Sequence, residues 1–386
     1  MTHGAALERV GDSEIGRAPR SLRHVGLVAL GTAVAFAGYW LVARGSRSVD
    51  FHLFRAAGQA VLDGRSPYPH LPLTASIRHD HPFVYPLPAA WLYVPFALID
   101  YWLSAWLYAG LSIGALFLAL WWLEVRSITV FALVLSSSVV ISGLTLGTID
   151  AFLLLGVAAL VRFRDRPWVA GLTFAVLVAL KPLMLPLVVY LVVTGRRRAL
   201  AAAAAGGATL IAAALAADFS TVGYARLLHQ LTLREALHSD SLVHRLVVWT
   251  GASLNAATVA VALAGGVLLA STLILGLRWR LDHRAVLAVS VGGALLVSPI
   301  VWPHYVLLCW APLLLLRRTT LIAAAGWAAT WLLFSARLPL QWVPHPLSGE
   351  TARAVGVLVP LVVVAVVLAA TAARAARGTT LRRPLA

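Results

Sequence analysis

The sequence has one cysteine, one lysine and few charges of either sign. Cys309 stands alone inside an apolar run, which excludes a disulfide framework and a cysteine-built metal site. Charged residues make up only 12% of the chain, where soluble domains carry roughly 25%. Several motifs are also missing. There is no glycine-rich phosphate loop, no HExxH and no Ser/His/Asp elbow. No paired-aspartate DxD, the signal for a metal-bound nucleotide sugar, occurs either.

What fills the chain is apolar: 60% of its 386 residues are hydrophobic and the mean hydropathy is +0.86. This composition describes a polytopic membrane protein. The net charge of +16 does not point to nucleic acid, because the arginines form short clusters between apolar runs and no basic stripe interleaves with aromatics. Lys and Arg collected in short loops are the pattern of the positive-inside rule. About twelve apolar runs lie between residues 24 and 373, some of full spanning length and some shorter. The first, about residues 24–43, exceeds the core of a cleaved signal and reads as a retained first helix.

Threading the runs with residues 1–23 as a cytoplasmic tail places about 20 of the 31 basic residues inside, including Arg126, Arg162, Arg196 to Arg198 and Arg278, in agreement with that rule. The tail 374–386 falls inside as well. The expected fold is therefore all-α: a single integral-membrane domain over residues 1–386 with about twelve spans. Two long segments, 44–100 and 218–253, face outward. The alanine-rich run AAAAAGGATLIAAALAA allows close helix packing, which is architecture rather than chemistry.

The stretch SVDFHLFRAAGQAVLDGRSPYP, from Ser48, carries a helical pattern. Phe51, Phe54, Gly58, Val61 and Leu62 share one face, and His52, Arg55, Gln59 and Asp63 the other. Asp50 stands where an N-cap would stand. The pattern predicts a helix in the outer interface, with one face in lipid and the other over a cavity.

Lys181, in FAVLVALKPLMLPLVVYL, is surrounded by apolar residues. A charge at membrane depth costs roughly 2.5–3.5 kcal/mol on insertion scales and needs an ionic or polar partner. The flanking runs are too short for each to cross a core of about 30 Å untilted. They predict a hairpin with its tip at Lys181-Pro182, although a snorkelling lysine at a helix end has the same spacing. A second interrupted hairpin occurs at SPIVWPHYVLLCW, where Ser298, Pro299, Trp302, Pro303 and His304 break a long apolar stretch. Non-helical backbone at this depth is tolerated where it lines a cavity. Cations near the outer interface suit a lipid-anchored phosphate. A carboxylate across from them suits a general base that takes a proton from an incoming hydroxyl.

VDFHLFRAAGQAVLDGRSPY followed by FVYPLPAAWLYVPFALI resembles the first outer loop of glycosyltransferase family 87. LKPLMLPLVVYLVVTGRRRA and LLVSPIVWPHYVLLCWAPLLLL are similar to two further signatures of that family, so the resemblance spans roughly residues 45–318. It implies a GT-C type, polyprenol-phosphate-mannose-dependent α-mannosyltransferase of the bacterial plasma membrane, acting on the extracytoplasmic face. By the same resemblance Asp50 is the catalytic base. Lys181 and His304 belong to the donor phosphate and sugar pocket, with Arg55, Tyr85 and Arg245 as further binding residues. The implied partners are a polyprenyl-phosphate sugar donor, a glycolipid or lipoglycan acceptor and membrane lipids.

The implied chemistry is inverting and forms an α-(1→2) linkage. It needs no cofactor or metal, since arginine, lysine and histidine can neutralise a phosphodiester. The chain departs from the family pattern in three places. LGTIDAF has Thr148 and Asp150 where a Gly-Gln pair is common, HSDSLVHR lacks an asparagine, and His304-Tyr305 replaces a His-His pair. An arabinofuranosyltransferase using a lipid-phosphate arabinose fits the same resemblance. A transporter or lipid flippase, and a non-catalytic envelope assembly protein, are the readings from other classes.

Overall fold

A computed structural model describes residues 26, 49–72, 82–279, 281–315, 319–335 and 357–370. All regular structure among them is helical. The apolar run 24–43, apart from residue 26, and the tails 1–23 and 374–386 lie outside the described residues.

Helix α1 (Val49–Leu62) is the half-polar helix expected from the sequence, with Asp50 in its first turn, one residue inside the helix rather than at its cap. Its apolar face is not in lipid. Phe51 and Phe54 are buried against α2 (Leu87–Ala97) and the helix that follows it. Phe54 stacks on Tyr93 with centroids 4.5 Å apart, and Phe51 meets Phe96 and Tyr108 at 6.0 and 5.0 Å. At Gly58 a side chain would collide with the Tyr93 backbone. The expectation of a lipid-facing surface is corrected here. The aromatic residues of YPLPAAWLYVPF, downstream in the same loop, supply a partner that a lipid face would lack.

Asp100 caps α3 (Tyr101–Trp122), accepting from the amides of Trp102 at 2.9 Å and Leu103 at 3.2 Å. Next come α4 (Ile128–Leu135) and α5 (Ser138–Leu146), bent by 53° at the Ser136-Ser137 break. Gly147 ends α5 in the left-handed conformation, with φ of 71°, a turn that glycine enters without steric penalty. Its Cα sits against Phe51, where an added Cβ would lie 2.5 Å from Phe51 Cβ. The Thr148 carbonyl accepts from the Tyr108 hydroxyl at 2.9 Å, and α6 (Asp150–Arg162) starts two residues later.

The Lys181 hairpin consists of α7 (Pro167–Leu180), an extended residue at Lys181, a 3-10 turn over Pro182–Leu187 and the short α8 (Val188–Val193). Pro182 and Pro186 lack the amides an α-helix would need there. Helix α9 (Arg197–Ala217) packs on α7 so closely that a side chain at Gly171 would collide with the Ala199 carbonyl. The alanine-rich run is thus a close-packing surface.

The segment 218–253 holds α10 (Tyr224–Glu235) and α11 (Leu242–Thr250), followed by α12 (Leu254–Trp279). Helix α13 (His283–Val297) is buried along most of its length. It breaks at Ser298, and the chain resumes through a 3-10 turn over Pro303–Cys309 into α14 (Trp310–Leu314). Helix α15 (Thr319–Ser335) follows.

Three described helices, α3, α9 and α12, are long and apolar enough to cross a membrane, or four spans if the bent α4–α5 pair is one. Of the about twelve spans expected from the sequence, these three or four are full-length apolar helices among the described residues. The remaining runs form shorter apolar helices such as α7 and α13. Apolar side chains along α12, among them Leu263, Val267 and Ile274, are more than half exposed. A contiguous apolar surface of that kind marks a helix solvated by lipid.

Candidate active site

Asp50, Tyr85, Lys181 and His304 line a single cavity of about 830 Å³, within the range of small-molecule sites. Each arrives there for a local reason. Asp50 and Leu53, three residues apart on α1, form the stripe of that helix that faces the cavity. Lys181 is at the extended break after α7, and His304 is in the 3-10 turn after Pro303. Tyr85 precedes α2 and packs on Phe54 with centroids 4.6 Å apart.

Lys181 and His304 are both buried, and both converge on Asp150 at the head of α6. Lys181 Nζ donates to Asp150 Oδ1 at 3.0 Å, and His304 Nε2 lies 3.6 Å from Asp150 Oδ2. The ammonium also stands over the Tyr305 ring, 3.2 Å from its centroid, a contact that gains strength out of water. An ammonium has three donor hydrogens. With one held by Asp150 and the aromatic face covering another side, the lysine remains on the cavity wall.

Asp50 is partly buried, and its carboxyl is pushed up to about 7. Burial is the main cause and the negative charge of Asp150 adds to it, while Lys181 pulls the other way. A carboxylate with a value this close to neutrality suits proton transfer better than an ordinary aspartate does.

The structure does not bring every expected residue to the cavity. Arg55 points away from it. Its guanidinium donates to the carbonyls of Phe96 at 3.1 Å and Ile99 at 2.8 Å, closing the C-terminal end of α2, where a cation is favoured by the helix dipole. Arg245 is buried in α11 and is not on the cavity wall. Its segment stands behind that wall: the Asp240 amide donates to the Val301 carbonyl at 2.8 Å, and the Ser239 hydroxyl to Pro299 at 3.4 Å. The resemblance placed both arginines in the donor pocket. In the structure neither lines the cavity: the Arg55 guanidinium is held by main-chain carbonyls, and Arg245 lies in the layer supporting the turn.

Reading the sequence missed three residues at the site. Asp150 was noted only as a departure from a family pattern, yet it is the ionic partner that an isolated lysine requires. Tyr305 was noted in the same way. Glu235, buried on the cavity wall, carried no signal in the polar stretch LTLREALHSD. Among the described residues no cluster of three or more His, Cys, Asp or Glu side chains could hold a metal ion.

Comparison with known proteins gives one family. Residues 83–299 match the model described as Glycosyltransferase family 87. The matched segment covers more than half of the chain and contains Tyr85, Asp150, Lys181, Glu235 and Arg245. Asp50 lies 33 residues before it and His304 five residues after it, and both meet it at the shared cavity. No curated protein and no solved structure matches the chain.

Proposed function

Since this chain belongs to glycosyltransferase family 87, we propose that it transfers a mannosyl residue from a polyprenyl-phosphate donor to a glycolipid or glycan of the bacterial cell envelope. The reaction takes place on the extracytoplasmic face of the plasma membrane. The observation that carries this reading is the shared cavity: a carboxylate at Asp50 and a cation at Lys181 line one chamber, beside apolar residues such as Leu183, Leu185 and Val297.

In this scheme the donor's phosphate sits at Lys181, with His304 as a further hydrogen-bond donor, and the first isoprene units lie along the apolar wall. Asp50 takes the proton of the acceptor hydroxyl as its oxygen attacks the anomeric carbon. The bond from that carbon to the phosphate oxygen breaks on the opposite face. The leaving polyprenyl phosphate gains negative charge, which Lys181 stabilises where it develops. A β-linked donor then gives an α-linked product, and an α-(1→2) linkage is the expected outcome. Asp150 touches neither substrate in this scheme; it holds the lysine and the histidine in place.

The test is incubation of purified protein in lipid with radiolabelled polyprenyl-phosphate mannose and a phosphatidylinositol mannoside. Label moving into the acceptor supports the reading. Transfer only from the arabinose donor changes the sugar, and movement of donor across the bilayer without transfer replaces the reaction with transport.

A further inference from the structure

The cavity contains a second carboxyl that the scheme above does not use. Along α10, Tyr224, Leu228, Leu231, Thr232 and Glu235 all line it. Residues 228, 231, 232 and 235 fall at i, i+3, i+4 and i+7, one continuous stripe of the helix. The stripe is apolar at Leu228 and Leu231 and polar at its end. Glu235 is only 2% exposed, and its Oε2 is buried with no hydrogen-bond partner among the described residues.

Neither helix stability nor packing accounts for an acid there. Glu235 is the last residue of α10, where the helix dipole disfavours negative charge. A buried polar atom without a partner is a cost that folding alone does not recover. The segment after it is fixed: the Ser239 hydroxyl donates to the Ala236 carbonyl at 2.9 Å, and Asp240 is tied to Val301. The backbone that carries Glu235 is therefore fixed beside the cavity, and its Oε2 has no hydrogen-bond partner among the described residues.

The chemistry of that partner is restricted. A phosphate would be repelled by a carboxylate and has Lys181 to bind. A metal ion would need additional acids or histidines, and the described residues form no such cluster. Hydroxyl groups donate directly to carboxyl oxygens and bring no charge. We propose that Glu235 is a binding residue for the hydroxyls of a neutral sugar ring, with the apolar part of the α10 stripe receiving the lipid attached to that ring. The choice of mannose as the ring rests on the transferase reading given above.

The experiment uses the full-length protein in detergent and two probes, octyl mannoside and dodecyl phosphate, titrated against tryptophan fluorescence. Glu235→Ala and Glu235→Gln are compared with wild type. Losing hydrogen bonds to a carboxylate predicts mannoside binding weakened roughly tenfold to a hundredfold, with dodecyl phosphate binding unchanged. The unliganded E235Q variant should melt at or above the wild-type temperature, because a buried carboxyl with an unpartnered oxygen has been replaced by a neutral amide. Equal mannoside binding by wild type and E235A overturns the proposal, as does a lowered melting point with both affinities intact. In transfer assays a raised KM for the donor alone assigns the ring to the donor, and a raised acceptor KM assigns it to the acceptor. If wild type binds the mannoside through Glu235 but transfers nothing, the transferase reading fails and the sugar site stands.

Discussion

Lys181 and Asp150 form a buried ion pair, Nζ to Oδ1 at 3.0 Å, between side chains that are 7% and 0% exposed. The lysine comes from the break after α7 and the aspartate from the first turn of α6. Their contact therefore fixes the break after α7 against the head of α6 at the cavity wall.

Removing one partner leaves an uncompensated buried charge. Lys181→Met and Asp150→Leu should each destabilise by about 3–5 kcal/mol. The double variant should recover most of that loss, since an apolar pair of similar volume fills the same space. Thermal unfolding in detergent measures all three. Transfer should stay absent in the double variant despite restored stability, which separates the structural use of the pair from the proposed use of the lysine. Full additivity of the two single losses would show that the residues do not act as a pair.

Asp50→Asn preserves size and removes the proposed base. The variant should fold, bind donor with near wild-type affinity and lose about 10²–10⁴-fold in kcat. Single-turnover assays with labelled donor make the measurement. Turnover near the wild-type rate would reduce Asp50 to a first-turn helix residue.

The same carboxyl predicts a pH profile. Its value is raised to about 7, and only the deprotonated form can accept the acceptor's proton. Transfer, read as kcat/KM, should therefore reach a plateau above about 7 and fall about tenfold per pH unit below it. An ordinary aspartate would put that limb near 4. A limb at the lower value would mean that burial and Asp150 do not act on Asp50 as described.

Gly147 supplies a prediction about positioning. Gly147→Ala adds a Cβ 2.5 Å from Phe51 Cβ and strains a left-handed residue by about 1–2 kcal/mol. Stability should drop by at least that amount. Because Phe51 adjoins Asp50, kcat should fall in the folded fraction as well. A melting point and kcat unchanged from wild type would show that the turn adapts without moving α1.

The parts of the site that could be read from sequence were those marked by local chemistry. Lys181 and His304 each stand beside a proline that interrupts an apolar run, so both breaks were visible in one dimension. Asp50 stood out as an acid opening a patterned helix. Asp150 was hidden because 31 residues separate it from Lys181, and nothing local says which acid answers an isolated cation. For Arg55, periodicity gives a polar face but not what that face meets, here the carbonyl end of α2. Composition counts apolar runs without distinguishing a full crossing from a half-length helix. Runs like those around Lys181 measure only about 20 Å at 1.5 Å per residue.

The grip of Arg55 on the end of α2 has a practical meaning for anyone screening variants. Five residues from Asp50 on the same helix, it anchors the rod on which the carboxylate is mounted. Loosening that anchor would let the rod swing and silence transfer, although the guanidinium meets no reacting atom. A loss-of-activity map would then show two hot positions on one short helix, one proposed for the reaction and the other for its scaffolding, and only a folding assay run alongside would tell them apart.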